Sequence, residues 1–151
     1  MTFQFNDGGR SKYFKGTAGD CVTRAISIAT GKDYKDVYDY LATEQKKLTG
    51  VKSARNGVSK IVYHKYLIEN GFEWIPTMKR GQGCKVHLHK DELPSGTLVI
   101  RLSKHLTCMI DGIIYDTYNP QRGSRVSFSD GIVIGATTET RCVYGYYKLT
   151  V

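Results

Sequence analysis

No stretch of this 151-residue chain stays apolar for anything near the length of a membrane span. Its opening residues Met1-Thr2-Phe3-Gln4-Phe5-Asn6 lack the basic and apolar regions of a signal peptide. No membrane association is expected, and the expected setting is cytoplasmic. The chain also lacks an internal repeat, a low-complexity segment and any linker that would divide it, so residues 1–151 are read as a single domain. That length buries most apolar groups without a metal or disulfide framework. Cysteine is sparse: Cys21, Cys84, Cys108 and Cys142 are widely spaced, which in an unexported chain predicts four free thiols, with Cys108 and Cys142 inert in apolar strands. Concentrated charge is missing too. The 22 Lys and Arg outnumber the 14 Asp and Glu for a net charge of +8, yet no run is dense enough to form a tail. The surplus reads first as solvated surface. Second, it reads as a face that attracts nucleic acid weakly and without sequence preference.

What is present divides into two halves of different periodicity. After a turn-forming stretch, Asn6 to Ser11, a flexible Gly16-Thr17-Ala18-Gly19 loop runs into Cys21, so residues 1–19 are read as leader and active-site loop. Val22, Ala25, Ile26 and Ala29 recur on one helix face until Thr30-Gly31 stops it. Asp33 is placed to cap a second helix, with Tyr34, Val37, Tyr38 and Leu41 inward and an end near Gly50. Val58, Ile61, Val62 and Tyr66 mark a third, closed by Asn70-Gly71. Residues 20–71 thus form a helical lobe. From Phe72 the chain turns to short β-prone runs: Phe72 to Ile75, Lys85 to Leu88, Thr97 to Leu102, His105 to Ile110, Ile113 to Tyr118, Ile132 to Ile134 and Cys142 to Leu149. Helices first and strands later indicate an α+β fold, with residues 72–151 as an antiparallel sheet lobe.

The most informative residue is Cys21, a cysteine that opens a helix just after a glycine-bearing loop. Helix N-termini present unpaired amides and partial positive charge, which stabilise a thiolate and can hold an oxyanion. Far downstream, His105 opens an apolar strand that leads through Asp111-Gly112 into Ile113-Ile114-Tyr115-Asp116. Asp-Gly between apolar runs signals a two-residue hairpin loop. It sets Ile110 opposite Ile113, Met109 opposite Ile114, Thr107 opposite Asp116 and His105 opposite Tyr118. His105 and Asp116 then share a face as diagonal neighbours, about 7 Å apart at their backbones. Asn119 falls on the other face, and a one-residue bulge would exchange it for Asp116 as the group orienting His105. For the thiol to meet the imidazole, the first turn of the Cys21 helix is expected to pack against the face of His105 and Asp116.

A Cys, a His and an acid in helix, strand, strand order resemble the papain-like cysteine peptidases and their compact bacterial and phage relatives, over the span from Gly16 to the C-terminus. The resemblance implies a helical lobe carrying Cys21 packed on a sheet carrying His105 and Asp116, and thiol-dependent hydrolysis of a peptide, isopeptide or other amide bond in a protein or peptide substrate. It also implies a phage or bacterial intracellular protein, in the host cytoplasm if phage-encoded. In such a set His105 shares the thiol proton and the acid fixes the ring tautomer. The backbone amide of Cys21 is the first oxyanion donor. The chain departs from the family at the second: a glutamine is usual shortly before the nucleophile, whereas Lys15 stands six residues upstream and the nearest glutamine is Gln4. Asn6, Lys15 and Thr17 are the candidates left. Transglutaminase-like or deamidase-like acyl transfer would use the same residues.

Other motifs carry less. Cys84, His87 and His89 form a C-x-x-H-x-H cluster whose two histidines share a strand face, but no fourth ligand follows at a characteristic distance, so neither metal nor cofactor is expected. Tyr144, Tyr146 and Tyr147 have the chemistry to stack on bases, though such residues are more often half-buried strand side chains. His64 is read as solvated on its helix, and Asp20 as the N-cap of the Cys21 helix. The rival reading of the whole chain is a non-catalytic basic module that binds nucleic acid or a host protein.

Overall fold

The computed structural model describes residues 3–16, 19–55, 57–79, 81, 83–120, 127–129, 132–134 and 141–150. Three helices, α1 (Cys21–Thr30), α2 (Tyr34–Thr49) and α3 (Lys60–Glu69), follow a short strand β1 (Phe3–Phe5) and a single turn of 3-10 helix at Arg10–Lys12. Strands β2 (Phe72–Pro76), β3 (Thr97–Leu102), β4 (His105–Ile110), β5 (Ile113–Asp116), β6 (Ser127–Ser129), β7 (Ile132–Ile134) and β8 (Gly145–Leu149) complete the order. The fold is α+β, with a six-stranded sheet ordered β1-β5-β4-β3-β8-β2 and a separate β6-β7 pair.

The sheet is mixed, not antiparallel throughout. β1 runs parallel to β5, with Phe3 opposite Ile114 and Phe5 opposite Asp116, so part of the presumed leader is an edge strand. The remaining ladders are antiparallel. The expected strand at Lys85 to Leu88 reduces to an isolated bridge between His87 and Cys142, and β8 begins only at Gly145.

Two tight turns fix the strands that matter here. Between β4 and β5, Asp111 (φ 49°) and Gly112 (φ 83°) are both left-handed, the conformation of a type I′ hairpin loop, whose twist matches that of the strands. The register follows the sequence expectation, with Ile110 opposite Ile113 and Met109 opposite Ile114. Between β3 and β4 a second two-residue turn, Ser103-Lys104, sets Leu102 opposite His105, with Lys104 held at φ 55°.

Apolar packing fills both faces of the central strands. Leu106 and Cys108 of β4, with Val99 and Tyr147, lie under Val22, Ala25, Ile26, Val37, Leu41, Val62 and Leu67 of the helices. Leu98, Ile100, Leu102, Met109 and Ile114 point to the other face, covered by Leu88, Leu93 and Val143. Ile61 does not belong to the buried face of α3: it is 72% exposed, and Tyr63 and Leu67 pack inward instead. His64 is not simply solvated either, since its Nδ1 lies 2.8 Å from the Tyr147 hydroxyl. Tyr147 itself is buried, which removes it as a base-stacking surface.

The thiol inventory also changes. Cys84 and Cys142 form a disulfide across 58 residues, leaving Cys21 and Cys108 free. Hydrogen bonds from the Leu88 amide to the Arg141 carbonyl and from the Val143 amide to the Val86 carbonyl draw the two segments alongside each other. Cys142 is therefore a cross-link, not an inert core thiol. No helix among the described residues is long and apolar enough to cross a membrane.

Candidate active site

Cys21 is the first residue of α1, where the backbone amides have no acceptor one turn back. His105 is the first residue of β4, and Asp116 the last of β5. Strand alternation puts His105, Thr107 and Asp116 on the face of Met109 and Ile114, opposite the Leu106 and Cys108 side chains that α1 covers. The first turn of α1 nevertheless reaches these residues at the end of the sheet, Cys21 touching His105 and Arg24 touching Asp116. Thiol and imidazole meet because each residue opens its element, at the rim of the sheet, where a side chain can reach past the strand end.

The three side chains form a connected chain. His105 Nε2 lies 2.7 Å from Asp116 Oδ2, and the same oxygen accepts the Thr107 hydroxyl at 2.7 Å. Asp116 Oδ1 accepts the Thr117 amide at 2.7 Å. The ring also hydrogen-bonds Cys21, whose sulfur accepts the Leu106 amide. Asp116 thus bonds the ring from the strand face on which the hairpin register sets both residues. Asn119 lies three residues beyond β5, partly buried. The Tyr118 ring leans against the imidazole, centroids 5.2 Å apart.

Electrostatics follow from this geometry. Burial alone would push the Cys21 thiol up; the His105 and Leu106 hydrogen bonds and the charges of His105 and Arg24 reverse this and hold it below the ordinary thiol value. Burial would likewise lower His105, but its bonds to Asp116 and Cys21 and their negative charge raise it above the ordinary imidazole value. Asp116 is opposed by burial in the same way, and His105, Thr107 and the Thr117 amide keep it below the usual carboxylate range. All three shifts favour thiolate, imidazolium and carboxylate together. Cys108 is the contrast: burial beneath the helices, with the negative charge of Asp116 adding to it, pushes its thiol far above the ordinary value.

Behind the acid lies a polar cluster that the sequence reading missed. Asp20 does not cap α1 with its side chain. Its carboxylate instead accepts Arg24 on one oxygen and the Tyr34 hydroxyl on the other, with Arg10 Nη1 3.7 Å away. Arg24 Nη2 lies 3.4 Å from Asp116 Oδ1, and Arg10 Nη1 donates to the Tyr34 hydroxyl at 3.2 Å. Arg10, Asp20, Arg24 and Asp116 are all buried. The signal available was the Asp20, Arg24 spacing of four, an ion-pair interval on a helix. A cavity of about 350 Å³ lined by Phe5, Asp7, Arg10, Gly16, Asp20, Arg24 and Thr117 borders this cluster.

The remaining candidates are dispersed. Asn6 is engaged in its own turn, its Oδ1 accepting the Gly8 amide at 2.7 Å and its backbone amide donating to the Asp116 carbonyl. Lys15 is exposed, and Thr17 lies outside the described residues. The Cys84 sulfur is bonded to Cys142, His87 Nδ1 faces Glu92 at 3.3 Å and His89 Nδ1 faces Asp91 at 3.6 Å, so the weak metal cluster is not assembled. No group of three potential metal ligands occurs among the described residues.

No protein-family model matches the chain, and neither does any curated protein or solved structure.

Proposed function

We propose that the protein is a papain-like thiol hydrolase that cleaves a peptide, isopeptide or other amide bond, with Cys21 as nucleophile, His105 as general base and acid, and Asp116 orienting the ring. The observation that carries this reading is the hydrogen-bonded chain from Cys21 through His105 to Asp116, with the thiol held low and the imidazole held high. The Cys21 thiolate attacks the carbonyl carbon, and the oxyanion forms near the amide of Cys21 at the start of α1. His105 then gives its proton to the departing amine. With the ring neutral, it takes a proton from water, which attacks the thioester and frees Cys21. Asp116 keeps the ring nitrogen that faces it protonated throughout, so the nitrogen facing sulfur is the one that exchanges the proton.

The test is labelling with an electrophilic, activity-based probe at neutral pH, followed by peptide mapping. Labelling should fall on Cys21 and drop sharply in His105→Ala. If Cys21 reacts no faster than a model thiol, the set is not an activated nucleophile, and the basic-module reading takes its place. Product masses from a cleaved substrate distinguish water from an amine as the final acceptor.

A further inference from the structure

We propose that Arg24 is a positioning residue for this set: Asp20 anchors its guanidinium, which holds Asp116 Oδ1 so that Oδ2 stays turned toward His105 and Thr107. The inference rests on the triad reading above and adds a residue to it. Arg24 follows Cys21 by three residues on α1, so the nucleophile and the group that steadies the acid ride on the same helical turn.

The carboxylate shows what is being held. Asp116 Oδ2 takes the His105 ring and the Thr107 hydroxyl, both at 2.7 Å, while Oδ1 takes the Thr117 amide at 2.7 Å and Arg24 at 3.4 Å. Rotation of the carboxylate would exchange the two oxygens and set the imidazole against a different donor field. A guanidinium suits the bridging task because its planar fork presents donors to two carboxylates at once, which a single ammonium cannot do with the same geometry.

Charge balance gives the second argument. The described groups facing Arg24 and its partners include Asp20 before α1, Cys21 on α1, His105 on β4, Asp116 on β5, Arg10 on the 3-10 turn, Tyr34 on α2 and Asp7 on the wall of the adjoining cavity. Among the described buried residues, Arg10 and Arg24 offset Asp20 and Asp116, and proton transfer from Cys21 to His105 adds one charge of each sign. The interior therefore stays neutral in either proton state. Without Arg24 it holds a net negative charge, which opposes the thiolate.

The experiment is the pH profile of Cys21 alkylation by iodoacetamide, together with the proton resonance of the His105 ring NH bonded to Asp116. Arg24→Met should raise the thiol midpoint by about one pH unit, slow labelling roughly tenfold below both midpoints, and weaken or broaden the ring resonance. Arg24→Lys, keeping the charge, should lie nearer to wild type in midpoint. Because Arg24→Met takes a cation from between two buried carboxylates, the charge-balanced pair Asp20→Asn with Arg24→Gln is measured beside it. That pair should still lose the ring resonance, since the bridge to Asp116 is gone. A wild-type midpoint well below that of a model thiol, with midpoint and resonance unchanged in the folded variants, overturns the role of Arg24 and leaves the triad standing. A wild-type midpoint at the ordinary thiol value overturns the triad reading itself.

Discussion

Whether Cys21 is a thiolate near neutral pH depends on partners that must outweigh its burial. His105 supplies the largest share, both as hydrogen-bond partner and as charge. Replacing His105 by Ala should move the midpoint of Cys21 alkylation up toward the ordinary thiol value of about 8.5, read from labelling rates across pH. In the wild type, labelling should rise with pH through the lowered thiol value. Turnover in the proposed hydrolysis, which also needs a protonated ring, should fall again as pH passes the raised His105 value. Cys108 should stay unlabelled in the folded protein, because burial beneath α1 keeps its thiol protonated. Asp116 carries a stability consequence with a definite sign. Its folded value lies below the ordinary one of about 3.9, so its contribution is fully present above that pH and is lost as pH falls through the lowered value. Acid unfolding monitored by circular dichroism should therefore show a shallower pH dependence in Asp116→Asn than in wild type.

At the scale of elements, the site depends on how closely the N-terminal segment presses against α1. Gly8 has φ +72°, and a Cβ there would stand 3.2 Å from the Cα and carbonyl oxygen of Arg24. Both facts oppose a side chain: the left-handed conformation costs about 1–2 kcal/mol for an L-residue, and the contact is with backbone that cannot rotate away. Gly8→Ala should thus destabilise the protein by about 1–3 kcal/mol in urea unfolding and lower the alkylation rate of Cys21. An unchanged urea midpoint would mean that this segment does not brace the helix. β1 contributes on the same side: it pairs with β5, and the Asn6 amide donates to the Asp116 carbonyl at 2.9 Å, fixing the backbone from which the acid projects.

At the scale of the whole molecule, the Cys84–Cys142 cross-link and the net positive charge make separate predictions. A closed loop of 58 residues removes enough unfolded-state entropy to stabilise the fold by about 4 kcal/mol on the chain-entropy argument, with about 2–4 kcal/mol typical of measured cases. Replacing both cysteines by Ser should lower urea stability within that range, and reductant should lower the wild type similarly while leaving the double variant unmoved. The net charge of +8 comes from dispersed residues. Any affinity for duplex DNA should be weak, indifferent to sequence and steeply reduced by salt, as measured by fluorescence anisotropy. A tight complex that survives high salt would favour the binding-module reading.

The sequence by itself determined the three helices, the β3 and β4 spans, and the hairpin register that sets His105 and Asp116 on one face. Each of these rests on signals acting over a few residues: Gly31 and Gly50 at φ 71° and 85° end α1 and α2, and Asp111-Gly112 adopts a left-handed loop whose twist suits the strands. Only the tertiary structure decided which distant groups win a partner. Asp20 has the composition of a cap, but Arg24, Tyr34 and Arg10 surround it in a buried setting where an ion pair outweighs a single amide. Phe3 to Phe5 carry no turn signal that points to β5, because their pairing partners, Ile114 to Asp116, lie more than 100 residues away. Cys84 and Cys142 read as separate thiols until the chain brings their Cα atoms to 5.8 Å. Pairings of this kind depend on which groups the folded chain leaves side by side, and that competition has no local trace in the residues that win it.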